Sequence, residues 1–170
     1  MRSLANELDR AILRGNGEQA TTHEPTGLLE DATITASSIS GAITYDHILT
    51  AEAETLKEDY EAPTKKFGYM LDTSLRSKLL KTPRIASGDN TIMIAKNING
   101  HPAYITAHMP NSSLLFGNFY DLMVLQWSGI DLIVNKFSYA RQGYVLITAG
   151  MWVNIHVANT DSFYRITDIT

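Results

Sequence analysis

The chain has 170 residues, no cysteine, 44% hydrophobic and 19% charged residues, and a formal net charge of -4 at pH 7. That length suits one domain with a real core, or one domain plus part of another, and the balance is that of a globular protein rather than a disordered one. The acidic sum argues against a general nucleic-acid surface, which needs clustered Lys and Arg, and the missing thiols exclude disulfides and thiolate metal sites. No apolar run reaches the ~18 residues of a membrane-spanning helix, and the opening MRSLANELDR is too charged for a signal peptide.

In chain order, residues 3–14 carry Leu4, Leu8, Ala11 and Ile12 at helical spacing, with Arg14 before Gly15 as a stop. Gly-Asn-Gly at 15–17 and Pro-Thr-Gly at 25–27 are turn chemistry. A glycine loop that follows a helix is in the wrong order for a phosphate cradle, which needs strand, loop and then helix. Residues 28–39 are Ser-rich and only weakly strand-like, and they read as irregular. The clearest helix is 44–60: Thr44 is its N-cap, Asp46 sits in the first turn, and Ile48, Leu49, Ala53, Leu56 and Tyr60 are expected on one face, with Pro63 beyond its end. Residues 67–71, FGYML, form a short buried strand, and Asp72 caps a second helix over 73–80 that stops before Pro83. A loop over 84–90 precedes strands at 92–94 and 103–106, joined through the turn-rich 97–102.

Residues 114–157 concentrate the apolar side chains. In their last part Val145, Ile147, Ala149, Met151, Val153, Ile155 and Val157 alternate with Leu146, Thr148, Gly150, Trp152, Asn154 and His156. This is the period of a half-buried strand, about twice the common length of ~5 to 6 residues, and it predicts a long ribbon. At Ser128 and Gly129 the pattern changes from mixed helices and short strands to nearly all strand.

No constellation for catalysis emerges. His101 and His108 flank a strand at odd spacing, on opposite faces, and His23, His47 and His156 lie on three other elements without ligand spacing. There is no G-x-S-x-G elbow, and Ser128-Gly129 and Ser87-Gly88-Asp89 are turn sequences. Glu52, Glu54, Glu58, Asp59 and Glu61 read as an acidic solvated face that could meet a basic partner, and Trp127 and Trp152 as core or interface packing. The expectation is no catalytic, cofactor-binding or metal site and no cofactor.

Three stretches carry a family resemblance: LLFGNFYDLMVLQWSGIDLIV at 114–134 with GYVLITAGMWVNIHV at 143–157, LDRAILRGNGEQATTHEPTGLL at 8–29, and INGHPAYITA at 98–107. In order and spacing they resemble the major capsid proteins of tailed double-stranded DNA bacteriophages, the Hong Kong phage type of capsid fold. The resemblance implies an α+β fold comprising the C-terminal portion of such a subunit. Residues 1–43 would be the end of the spine helix and its connecting loop, 44–128 the axial domain, and 129–170 the return to a strand-rich peripheral domain. It implies a structural subunit of an icosahedral phage or prophage shell, assembled in the bacterial cytoplasm into pentamers and hexamers. Portal, scaffold and prohead protease are the expected partners, DNA is met only indirectly, and no membrane is involved. An encapsulin-like shell and a small α+β ligand-binding or enzyme domain with a pocket between the 44–60 helix and the late strands are the alternatives. In this reading the family's N-terminal arm, extended loop and early spine helix would be absent, leaving Leu4, Leu8, Ile12 and a face of the 145–157 ribbon exposed. Lysine-asparagine cross-linking, which some members perform, is not supported, because no asparagine lies between Lys136 and Val153.

Overall fold

A computed structural model describes residues 2–18, 24–57, 66–85, 88 and 90–170. Its centre is a seven-stranded mixed sheet in the order β1 (Thr35–Gly41), β11 (Phe163–Ile169), β6 (Leu114–Asn118), β2 (Phe67–Leu71), β5 (His101–Ile105), β4 (Asn97–Ile98), β3 (Met93–Ile94). β1 runs parallel to β11 and β2 parallel to β5, whereas β11–β6, β6–β2, β5–β4 and β4–β3 are antiparallel.

The central strands β2, β6 and β11 are covered on both faces, so they divide their side chains between two cores with the period of two. Tyr69 and Leu71 of β2, Leu114 and Phe116 of β6, and Tyr164 and Ile166 of β11 join one core under helices α2 (Tyr45–Leu56) and α3 (Thr73–Leu79). Met70, Leu115 and Phe163 point the other way, toward Leu13, Leu28, Leu29, Ile34 and Met109. That second core is closed by the end of helix α1 (Arg2–Arg14), where the Leu28 and Leu29 amides donate to the Ile12 and Leu13 carbonyls. The crossing needs glycine: a Cβ on Gly27 would lie 2.5 Å from the Gly15 nitrogen, and one on Gly15 would lie 2.1 Å from the Pro25 oxygen.

The local signals explain the element ends. Asp72 accepts from the Ser74 and Leu75 amides at 2.7 and 2.9 Å and starts α3. Thr44 begins α2, with the His47 ring accepting from the Thr44 amide at 3.1 Å. Two left-handed pairs, Ala95-Lys96 and Asn99-Gly100, turn β3 into β4 and β4 into β5, as two-residue hairpins require.

Four expectations need correction. Residues 28–39, expected to be irregular, belong from Thr35 on to β1, because their pairing partner is the far end of the chain. That partner, β11, had no element assigned to it; both strands, placed by sequence in the flanking parts 1–43 and 129–170, pair within the sheet built by β2 and β6. α2 buries Ile48, Ala51, Glu52 and Thr55, a face rotated from the expected one, while Leu49 and Ala53 are exposed. The physical reason is that Glu52 is held inside by hydrogen bonds, which hydrophobic periodicity cannot register. Tyr60, the expected last member of that face, lies outside the described residues.

The fourth concerns the 145–157 strand, which is broken at Met151 and Trp152 into β9 (Leu146–Gly150) and β10 (Val153–Val157). β10 pairs with β7 (Leu122–Gln126) and β9 with β8 (Asp131–Asn135), both antiparallel. The predicted ribbon is therefore present as two successive two-stranded ladders, with four residues, 127–130, opposite two, 151–152. The Trp127 amide still donates to the Trp152 carbonyl across the break, at 3.2 Å.

Candidate functional site

The ribbon is the surface that departs most from a self-contained domain. At its base Leu122 and Val157 pack against the second core. Beyond the break that support ends. Directly opposed residues of an antiparallel ladder share a face, so Leu132 with Ala149 and Val134 with Ile147 make one side of β8–β9 wholly apolar. Leu132, Val134 and Ile147 are 62%, 54% and 63% exposed, and at the tip Phe137 is 90% exposed. The half-buried pattern read from sequence is thus real as a pattern, but within this chain its apolar side meets water. A two-stranded ladder without a covered face is marginal by itself, and an exposed apolar side of this kind is a candidate contact surface.

Helix α1 meets the ribbon at the break. A cleft of about 280 Å³ there is lined by Leu4, Leu8 and Ala11 from the helix and Met151, Trp152 and Val153 from the ribbon. Arg10 bridges Glu7 and Glu24 at its rim, and the bond to Arg10 holds the Glu7 carboxyl below its usual value. A second, more apolar cleft of about 390 Å³ lies over the sheet between Lys66, Met70, Tyr104, Phe119 and Tyr120, with the Lys66 ammonium 5.8 Å from the Tyr120 ring centre.

The space between α2 and the late strands, where a ligand pocket would support an enzyme, holds a cleft of about 190 Å³ bordered by Thr35, Glu54, Lys57, Asp161, Phe163 and Tyr164. Its glutamate is engaged by Lys57 at 2.7 Å. The buried Glu52 is the carboxylate the sequence grouped with a solvated face, and it is not solvated: the Tyr69 hydroxyl and the Asn99 amide, the latter at 2.5 Å, both donate to it, and the Tyr45 hydroxyl donates to the Asn99 oxygen at 3.0 Å. This ties α2, β2 and the β4–β5 turn together. Burial, then the bond to Glu52, push the Tyr69 hydroxyl well above its ordinary range.

The histidines stay apart. His47 caps α2 and the His101 ring packs against Phe67, Tyr69 and Phe116, while His23 lies outside the described residues. Among the described residues no three His, Asp or Glu side chains gather as a metal site, and no helix is long and apolar enough to cross a membrane. Of the dense acidic run, Glu58, Asp59 and Glu61 also lie outside the described residues, as do Ser87 and Asp89. Trp127 and Trp152 are exposed on the ribbon rather than in a core.

The sequence matches the phage capsid family over residues 1–168. The chain belongs to that family. No curated protein matches it. Among solved structures, the chain is similar to the capsid of the Myoviridae phage XM1, at 11% identity and a TM-score of 0.74, covering 99% of this chain and 62% of that one. It is also similar to the capsid of an empty GTA particle, at 15% identity and 0.66, covering 99% and 66%, and to a virus-like particle from Pyrococcus furiosus, at 15% and 0.59, covering 96% and 64%. At these identities the likeness shows the fold, and the α+β capsid fold expected from the three sequence stretches is the one observed. The chain spans about two thirds of the length of these solved chains.

The FGNF run at 116–119, within the first of the three stretches, has a physical reason. A Cβ on Gly117 would sit 2.3 Å from the Phe163 ring and 2.7 Å from the Ser162 oxygen, so only glycine lets β11 close over β6. Asn118 is buried, accepts from the Lys66 amide at 3.2 Å and donates to Asp121 at 3.0 Å, fixing where β6 leaves the sheet. In this phage capsid family chain Gly117 and Asn118 are thus scaffold, and the exposed tip residue Phe137, which the sequence did not single out, is the surface feature that periodicity alone missed.

Proposed function

We propose that the chain is a structural subunit of an icosahedral phage shell, and that repeated self-association, with the β8–β9 ribbon as one contact surface, is its task. The observation that carries this reading is the apolar face of Leu132, Val134, Ile147 and Ala149, regular enough to be a sheet core and covered by nothing among the described residues. Family membership supplies the context, and the similar solved structures are those of capsids and a virus-like particle. In this reading 44–128 forms the body around the capsomer axis, and 1–43 and 129–170 the peripheral part, apart from β1 and β11, which the sheet takes. Pentamers and hexamers are the working assemblies, in the virion and during assembly in the host cytoplasm. Portal, scaffold and prohead protease are the partners, and the chain carries no catalytic step. Closed shells are built from many modest heterologous contacts, so a flat adhesive face serves better here than a deep pocket.

The test is self-association of the chain followed by mass photometry and negative-stain microscopy over a concentration series. The expected result is concentration-dependent oligomers that disappear in Val134→Asp and Ile147→Asp at unchanged fold. A chain that stays monomeric throughout, or ribbon variants that assemble like the parent, would overturn the reading.

A further inference from the structure

The two lateral edges of the seven-stranded sheet carry opposite charge. At the β3 edge, the residues following α3 run back along the sheet: the Ile92 amide donates to the Thr82 carbonyl and the Arg84 amide to the Asn90 carbonyl. This places Lys81 and Arg84 beside β3, with Lys78 on α3 and Lys96 in the β3–β4 turn. Lys78, Lys81 and Lys96 are exposed, and between Asp72 and Asp121 the sequence holds no carboxylate except Asp89. Leu80 and Ile94, also exposed, lie among these cations.

At the other edge, Asp31 precedes β1 and Asp168 accepts from the Ser38 hydroxyl of β1 at 2.5 Å. Glu54 and Asp161 face the start of β1 across the small cleft beside α2, which packs over β11 and β6. Among the described residues the cations here are Lys57, already paired with Glu54, and the half-buried Arg165. Six strand spacings of ~4.8 Å separate the edges by roughly 29 Å, too far for either to neutralise the other through solvent at physiological salt.

We infer that the basic β3 edge of one copy docks against the acidic β1 edge of a second copy, side by side. The inference rests on the shell reading and deepens it by naming a heterologous contact. A patch that fits a different patch of the same molecule is the arrangement that generates rings, whereas a self-complementary patch stops at a dimer. Complementary charge sets register and speeds encounter, and the exposed Leu80 and Ile94 supply apolar area inside the basic rim.

Two full-chain variants test it: Lys78→Glu with Lys81→Glu, and Glu54→Lys with Asp161→Lys, each checked for native circular dichroism. Sedimentation velocity at low and high salt is run on each alone and on an equimolar mixture. The parent should associate less in high salt, and each variant alone should associate roughly tenfold or more weakly than the parent. The mixture should regain parental association, because alternating copies restore both contacts. Folded variants that associate like the parent, or a mixture no tighter than its components, would overturn the inference. Val134→Asp separates the two readings: if it abolishes association while the charge reversals do not, the edge contact falls and the shell reading stands. A parent that never associates sinks the shell reading itself.

Discussion

β6 of the sheet, LLFGN, and β9 of the ribbon, LITAG, are similarly apolar and end in opposite situations. β6 is buried at every position, with one core on each face, while every position of β9 is exposed. A strand with two covered faces draws its stability from the chain it belongs to. A ladder of two strands with none has to draw it from elsewhere. On the proposed reading the fold's stability and its capacity to assemble are placed in different residues, and substitutions should separate them.

Phe116→Ala tests the body most severely. Its ring is fully buried and packs 4.5 Å from the Tyr69 ring centre, so a loss of about 3–5 kcal/mol is expected in chemical denaturation. Gly117→Ala drives a methyl group into Phe163 and should cost about 1–3 kcal/mol, with β11 the first strand to lose protection.

Tyr69→Phe removes one donor from the buried Glu52 and should cost about 1–3 kcal/mol at neutral pH. It also carries a signature in pH. The hydroxyl is raised in the folded state, so its contribution is complete below the unfolded value of about 10 and is lost as pH rises past that value toward the folded one. The parent should lose stability above that point in urea titrations, and Tyr69→Phe should lose less. Ile147→Asp, on the ribbon, should leave stability within about 0.5 kcal/mol of the parent while lowering binding of an apolar dye and abolishing self-association. If it unfolds the protein instead, the ribbon belongs to the core and the contrast drawn above is wrong.

The features legible in the sequence were those encoded locally. Asp72 as a helix cap and FGYML as a short buried strand each state their structure within a few residues. The parts that were not legible depend on distant partners. β1 reads as a Ser-rich loop because β11, more than a hundred residues later, supplies its hydrogen bonds. Glu52 reads as a surface acid because Tyr69 and Asn99, which make its burial tolerable, come from other elements. For the candidate site, alternation correctly indicated an apolar face on the ribbon, but periodicity reports that a face will be covered without saying by which molecule. The opposed charge of the two sheet edges could not be read from the sequence, because it depends on the strand order.

Hydrogen exchange measured on dilute and concentrated protein tests most directly the claim that the body stands alone and the ribbon does not. Amides of β2, β6 and β11 should be protected to the level of global unfolding at both concentrations, while those of β8 and β9 exchange quickly when dilute and gain protection on association. Equal and concentration-independent protection of β8–β9 and β6 would contradict it, because the ribbon would then be stabilised by its own chain.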